Sequence, residues 1–322
     1  MDTSGTTREP VAAAYGLGDE RSARLVRRAT AASLAVAAVL IGVKIFAWLL
    51  TDSVSLLSSL IDSAMDVFAS LVNFIAVRQA LQPADREHRF GHGKAEPLAA
   101  LAQAAFITGS GLFLAFEAIH RLIEPQAVRE GAVGIAVMGF SIVVTGVLVL
   151  YQRSVIRRTQ STVVRADSLH YAMDVLVNGS VIVAILMAWR LGWSYADPIF
   201  ALAIAGYIVY SAWRIGRVAL DQLMDRELPD AERARIKSIV VAHPGVANLH
   251  DLRTRMAGLN TFIQLHIEVD GEMSLARVHA ISDEVEAAIH VEYPNAEVII
   301  HADPEGLNEP VPSYAAAKRK SG

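Results

Sequence analysis

The sequence predicts an α-helical polytopic membrane protein, six transmembrane helices followed by a small cytoplasmic α+β domain in the order αββαβ. Three observations carry that expectation. Hydrophobic residues fill 53% of the 322 positions and charged residues only 19%, with a mean hydropathy of +0.37; a soluble chain carries about 25% charged residues. The apolar residues fall in blocks, and a bilayer core needs about 20 of them per helix. After Leu228 the blocks give way to the shorter periods of amphipathic helices and half-buried strands.

Composition also excludes several classes. The net charge of −4 argues against a strongly basic nucleic-acid binder. The absence of cysteine excludes disulfides, thiolate zinc sites, iron–sulfur clusters and cysteine nucleophiles. A transition metal would have to be held by His, Asp or Glu. Met1 to Glu20, with four acids and no apolar core, does not read as a signal peptide.

The apolar stretches run approximately from Thr30 to Leu50, Val54 to Val77, Leu98 to Ile119, Gly131 to Gln152, Ser168 to Trp189 and Pro198 to Trp213. Arginine and lysine crowd one set of connections: Arg21 to Arg28, Arg78 to Lys94, Arg153 to Arg165, and Arg214 to Arg226. The opposite connections are nearly bare, so the positive-inside rule puts both termini in the cytoplasm. Beyond the sixth helix, Pro229-Asp230 starts a short helix that ends near Pro244-Gly245. Leu249 to Met256 and Thr261 to Val269 read as a hairpin around Ala257-Gly258-Leu259-Asn260. Ser274 to Tyr293 suits a second amphipathic helix and Ala296 to Asp303 a third strand. The expected division is a cytoplasmic tail at 1–28, a transmembrane domain at 29–227, a cytoplasmic domain at 228–304 and a disordered tail at 305–322.

Ionisable residues at bilayer depth cost at least ~2.5 kcal/mol each on insertion scales, so they point to function. Lys44 and Glu117 lie near the outer ends of their helices, where snorkelling or a structural role accounts for them. Asp62 and Asp66 are different. Four residues apart, they share one helix face, about 12 and 18 Å into the span at 1.5 Å per residue. His170 and Asp174 repeat the spacing on the fifth helix. Two such pairs supply four N/O ligands, enough to close a tetrahedral site, whereas magnesium would want more oxygens and water. The bland reading makes each acid an interhelical hydrogen-bonding residue with His170 at the membrane surface. Three buried aspartates without a cation would repel one another strongly, which disfavours it.

Two further groups have metal-ligand chemistry. Asp85, His88 and His92 lie within eight residues of a polar loop and would grip one ion if the loop folded back; a solvated loop is the plain alternative. In the C-terminal domain, His266 sits on the polar face of its strand, and His301 and Asp303 share a face of theirs. His250 begins a strand and His279 lies on the second helix, close enough in principle to join them. Ordinary surface histidines in an acidic domain are the alternative.

Taken together, the motifs resemble one family. They are Ser63 flanked by Asp62 and Asp66; Leu81-Gln82-Pro83-Ala84-Asp85 through His88 to Phe90-Gly91-His92-Gly93-Lys94-Ala95-Glu96; Ala166-Asp167-Ser168-Leu169-His170-Tyr171 with Asp174; Asp225-Arg226; His250-Asp251-Leu252-Arg253-Thr254-Arg255; and Val298-Ile299-Ile300-His301-Ala302-Asp303. Their order resembles the cation diffusion facilitator family, within it the bacterial zinc and ferrous-iron efflux branch, over residues 27 to 304. The resemblance implies a homodimer, each protomer with six helices and a metallochaperone-like cytoplasmic domain that binds metal and dimerises. It implies a proton-coupled antiporter exporting a divalent metal by alternating access, Zn(II) first and Cd(II) or Fe(II) as alternatives, with protons as counter-substrate, in a bacterial inner membrane. Asp62, Asp66, His170 and Asp174 match the transport site, and Asp85, His88 and His92 a loop site. His250, His266, His279, His301 and Asp303 match a cytoplasmic two-metal site with Asp303 bridging, where zinc would be structural or regulatory. Lys94 and Asp225 match a charge interlock near the dimer contact.

Two other classes compete. An intramembrane metalloenzyme would need H-E-x-x-H or a spare base beside an open coordination position, and neither is present. A membrane-anchored metal sensor would have no use for acids at mid-bilayer.

Overall fold

A computed structural model describes residues 17–51, 54–123, 132–191 and 195–306. The expected tails therefore lie outside the described residues except for 17–28 and 305–306. The chain divides near Arg226–Glu227 into two compact units.

Among the described residues, the first unit is a bundle of six helices: α1 (Leu17–Thr51), α2 (Val54–Ala80), α3 (Ala95–Ile123), α4 (Ala132–Thr159), α5 (Thr162–Leu191) and α6 (Ala196–Leu223). Each outruns its apolar stretch. Hydropathy marks only the part inside hydrocarbon, while Ala, Leu, Arg and Glu in the flanks are strong helix formers and carry the turns onward. Residues 17–28, expected as tail, accordingly form the first turns of α1. Among the described residues, α1, α3, α4 and α6 are long and apolar enough to cross a membrane on length and composition. The other two, α2 and α5, bear Asp66, His170 and Asp174.

The bundle buries a set of polar side chains beside an apolar core of mostly small and β-branched residues, and turns many large apolar ones outward. Phe46, Phe113, Phe116, Val143, Leu150 and Trp213 are exposed, while Ser33, Ser70, Asn73, Gln103, Thr145, Gln152 and Asp167 are buried. Lipid removes the reason to bury large apolar side chains, and small residues let helices approach. Thus α3 and α6 pack as the closest-knit pair. A Cβ on Gly111 would come within 2.9 Å of Ile208 and Val209, and one on Gly216 within 3.4 Å of Ala104.

The second unit holds α7 (Asp230–Val241), β1 (Asn248–Ala257), β2 (Asn260–Val269), α8 (Leu275–Glu292) and β3 (Ala296–Pro304), the expected αββαβ order. The sheet runs β1-β2-β3, with β2 and β3 parallel. Gly258, at φ +62°, is the first central residue of the two-residue hairpin turn, where a type II′ geometry calls for glycine. On β2, Ile263, Leu265, Ile267 and Val269 are buried and Gln264 is exposed, the period of two seen in the sequence. They pack against Ile281, Val285 and Ile289 of α8 and Ile236 and Val240 of α7.

Candidate metal centre

The helix-borne group forms where α2 and α5 face each other. Asp66, His170 and Asp174 each offer a ligand atom, all within 4.8 Å of one another. His170 Nε2 lies 3.0 Å from Asp66 Oδ1, and the ring is only 5% exposed, between Phe106 and Tyr171. The imidazole is thus buried among the helices. Asp62 lies on α2 one turn before Asp66; its side chain falls outside the described residues. Lys44 does not snorkel outward. Its Nζ donates to Oγ of Ser63 on α2 at 2.6 Å. Glu117 accepts a 2.9 Å bond from Arg121 one turn on, which fits a structural role.

Below this group lies a polar network that the sequence reading passed over. Asp167 is 1% exposed and accepts from Ser33 Oγ of α1, Asn73 Nδ2 of α2 at 3.0 Å and Gln152 Nε2 of α4 at 2.7 Å. Asn73 also donates to Gln103 of α3. One turn along α5, Tyr171 Oη is 2.7 Å from Ser70 Oγ and donates to the Ser33 carbonyl at 3.1 Å. The segment carrying His170 is therefore pinned on both sides to α1 and α2. At the start of α5, buried Glu96 of α3 accepts from Ser161 Oγ at 2.6 Å and the Thr162 N–H at 2.8 Å, capping the helix with a side chain from another element. Replacing Asp167 by alanine removes the acceptor shared by three buried donors, leaving Ser33 with the Ala29 carbonyl, Asn73 with Gln103 and Gln152 with Ser33. Each donor N–H left unsatisfied costs about 1–3 kcal/mol. A clear fall in the thermal unfolding midpoint of the purified protein is expected, with Asp167→Asn, which keeps an acceptor oxygen, falling less.

In the loop between α2 and α3, Asp85 folds the chain back on itself. Its Oδ1 accepts from the N–H of His88 at 2.6 Å and of Glu87 at 2.9 Å. Those bonds, the His88 one foremost, hold its carboxyl below the usual carboxylate range. His88 Nδ1 then lies 3.4 Å and His92 Nε2 3.3 Å from the same carboxylate, with the two rings 4.5 Å apart. Buried His92 Nδ1 has no hydrogen-bond partner among the described residues. Asp85, His88 and His92 thus converge as a possible ligand set. Nearby, Lys94 Nζ is 3.0 Å from each carboxylate oxygen of Asp225.

In the second unit the sheet register sets the cluster. His266 of β2 pairs with His301 of β3, and Glu268 with Asp303. Asp303 is 3% exposed; its Oδ2 lies 2.9 Å from His266 Nδ1 and 3.4 Å from His250 Nε2, while Oδ1 lies 3.0 Å from His301 Nε2. One carboxylate therefore touches a histidine from each of three strands. Two carboxylates not foreseen stand around it. Glu268 Oε1 is 3.2 Å from His250 Nδ1, and Asp251 Oδ2 is 3.9 Å from His266 Nε2. Glu268 shares the face of His266 two residues away, a signal the alternation offered. Asp251 reaches in from a residue at φ +46°, which no pattern announces. His279 does not join the cluster expected of it. It is exposed on α8 and pairs with Asp283, because Ile281, Val285 and Ile289 turn the other face of that helix to the sheet.

Residues 30–224 match the family profile described as the cation efflux transmembrane domain, and residues 228–305 the one described as the cation efflux protein cytoplasmic domain. The chain is 51% identical over 281 residues to the cation-efflux pump FieF of Salmonella choleraesuis, covering 87% of this chain and 93% of that protein. The corresponding pump of Klebsiella pneumoniae is 51% identical over 284 residues, 88% of this chain and 94% of that one. Among solved structures, the metal-bound C-terminal domain of the CzcD transporter from Thermotoga maritima aligns at 30% identity over 26% of this chain and 100% of that one, with a TM-score of 0.24.

Proposed function

Since the chain belongs to the cation efflux family, pumps for divalent metals and not enzymes, we propose that it exports Zn(II) from the cytoplasm in exchange for protons, by alternating access. Cd(II) and Fe(II) are secondary candidates. The observation that carries this reading is the convergence of Asp66, His170 and Asp174 inside the bundle, with Asp62 one turn away as fourth ligand. A mixed imidazole–carboxylate donor set suits Zn(II), whereas Mg(II) and Ca(II) take oxygen. No H-E-x-x-H motif accompanies the site, which speaks against metalloenzyme chemistry. Uptake into everted vesicles, metal by metal, tests the assignment: Zn(II) is expected to lead, and a chain moving only Mn(II) would defeat it.

In this reading the protein is an integral homodimer of the bacterial inner membrane with both termini cytoplasmic, and Lys94–Asp225 acts as a charge interlock near the dimer contact. The loop residues Asp85, His88 and His92 form an accessory metal site. The C-terminal cluster is a resident regulatory or structural zinc site held by His250, His266, His301 and Asp303. Metal there would bind only the folded domain and stabilise it by linkage, about 2.7 kcal/mol at a hundredfold excess over Kd. Excess Zn(II) should therefore raise the unfolding temperature of that domain in the full-length protein. In a His266→Ala, Asp303→Ala variant the rise should vanish; an equal rise would remove the site.

A further inference from the structure

Two adjoining cavities on the outer surface of the bundle meet at Arg153, Ala172 and Tyr207. The larger, about 630 Å³, runs between α4, α5 and α6 and is walled by Val149, Leu150, Val175, Leu176, Ala203 and Ile204. The smaller, about 310 Å³, continues toward the arginine-rich end of the helices, where Arg153, Arg165 and Arg214 converge on it. No Asp or Glu lines either cavity. None of the three arginines has an acidic partner among the described residues: Arg165 donates to the Gln160 amide at 3.0 Å, and Arg214 sits 6.0 Å over the Tyr210 ring. The groove thus joins an apolar trough at hydrocarbon depth to three uncompensated positive charges at the interface, with exposed Tyr207, Tyr210 and Trp213 beside them, the residues that favour the headgroup level.

This groove is not the cation route. On α5 it is lined by Thr162 and Leu169 at its edge and by Arg165, Ser168, Ala172, Val175 and Leu176 at its centre, the last five marking its direction. At 3.6 residues per turn these lie on the opposite side of the helix from His170 and Asp174. Three guanidinium groups without an acidic partner among the described residues would also repel a divalent cation.

We propose that the groove binds an anionic two-chain phospholipid of the leaflet at that end of the helices. Its phosphate is held by Arg153, Arg165 and Arg214, and an acyl chain lies along the trough toward Ile204. Guanidinium forks match phosphate oxygens, and basic pockets between transmembrane helices favour acidic headgroups. Only the naming of that leaflet as cytoplasmic rests on the orientation proposed above.

Native mass spectrometry of the full-length protein in neutral detergent tests this, with phosphatidylglycerol and phosphatidylcholine of identical chains. Phosphatidylglycerol is expected to bind about tenfold or more tightly than phosphatidylcholine. Millimolar inorganic phosphate should fail to displace it, since phosphate has no chain to bury. Arg153→Gln, Arg165→Gln, Arg214→Gln together should abolish the preference, and Arg153→Gln alone should weaken it about fivefold. Filling the trough with Ala203→Trp should weaken both lipids alike. Equal binding of the two lipids, a preference that survives the triple change, or displacement by inorganic phosphate would each overturn the proposal. So would a triple variant that keeps its lipid and loses its dimer, since the arginines would then serve a second copy of the chain.

Discussion

Alanine at Asp66 or Asp174 is expected to reduce metal-driven flux in reconstituted vesicles to background while leaving a folded protein. Each carboxylate is one of the few anionic groups at that depth, and its removal takes both a ligand and a unit of the charge that offsets a dication's desolvation. Loss of a group that merely supports a ligand costs 10–100-fold in metal affinity, so loss of a ligand itself should cost more. His170→Ala should be comparably severe, because the imidazole contacts Asp66 directly at 3.0 Å. Asp85→Ala should act far more weakly, being confined to an exposed loop. Wild-type flux in both the Asp66 and Asp174 variants would relocate the transport site altogether.

The second large effect is in pH. With Asp62, Asp66 and Asp174 ionised and His170 neutral, the proposed site has a formal charge of −3, which a dication reduces to −1 and protons can offset in its place. Binding a dication requires deprotonated ligands, so each bound metal expels protons. The sign follows: raising the proton concentration opposes binding, and apparent affinity should fall as pH drops from about 7.5 to 5.5. The loss approaches about tenfold per pH unit for each proton displaced. Calorimetric Zn(II) titration of a variant lacking the loop and C-terminal ligands, in buffers of different ionisation enthalpy, counts those protons. Affinity that stays flat with pH, with no protons released, would leave a uniporter or a structural ion in place of an antiporter.

Much of this was readable from spacing. Pairs four apart on one helix, such as His170 and Asp174, declare a shared face before any fold is known, and the alternation along β2 announced both its core and His266. What spacing cannot announce is a site assembled across elements. Asp167 takes its bonds from Ser33, Asn73 and Gln152, each on a different helix, so no single-helix period marks it. It read as one more letter beside His170. Glu96 escaped notice for the same reason, since the helix it caps begins 66 residues later. His279 is the reverse case. The apolar period of Ile281, Val285 and Ile289 turns it outward within the chain, where it pairs with Asp283. Helix ends were missed because hydropathy reports the solvent and not the backbone hydrogen bonding.

The outward-facing apolar side chains of the bundle have a calorimetric consequence. The C-terminal unit is held by buried Ile, Leu and Val, whose exposure on melting raises heat capacity. The helical unit buries Ser, Asn, Gln and Asp beside apolar clusters rich in Ala and Val, while many of its large apolar side chains already face outward, so its disassembly uncovers less new hydrocarbon per residue. The two units should therefore melt with heat-capacity steps of unequal size per residue. Cooling should weaken the small domain's core first, because hydrophobic stabilisation fades at low temperature while the bundle's hydrogen bonds do not depend on it.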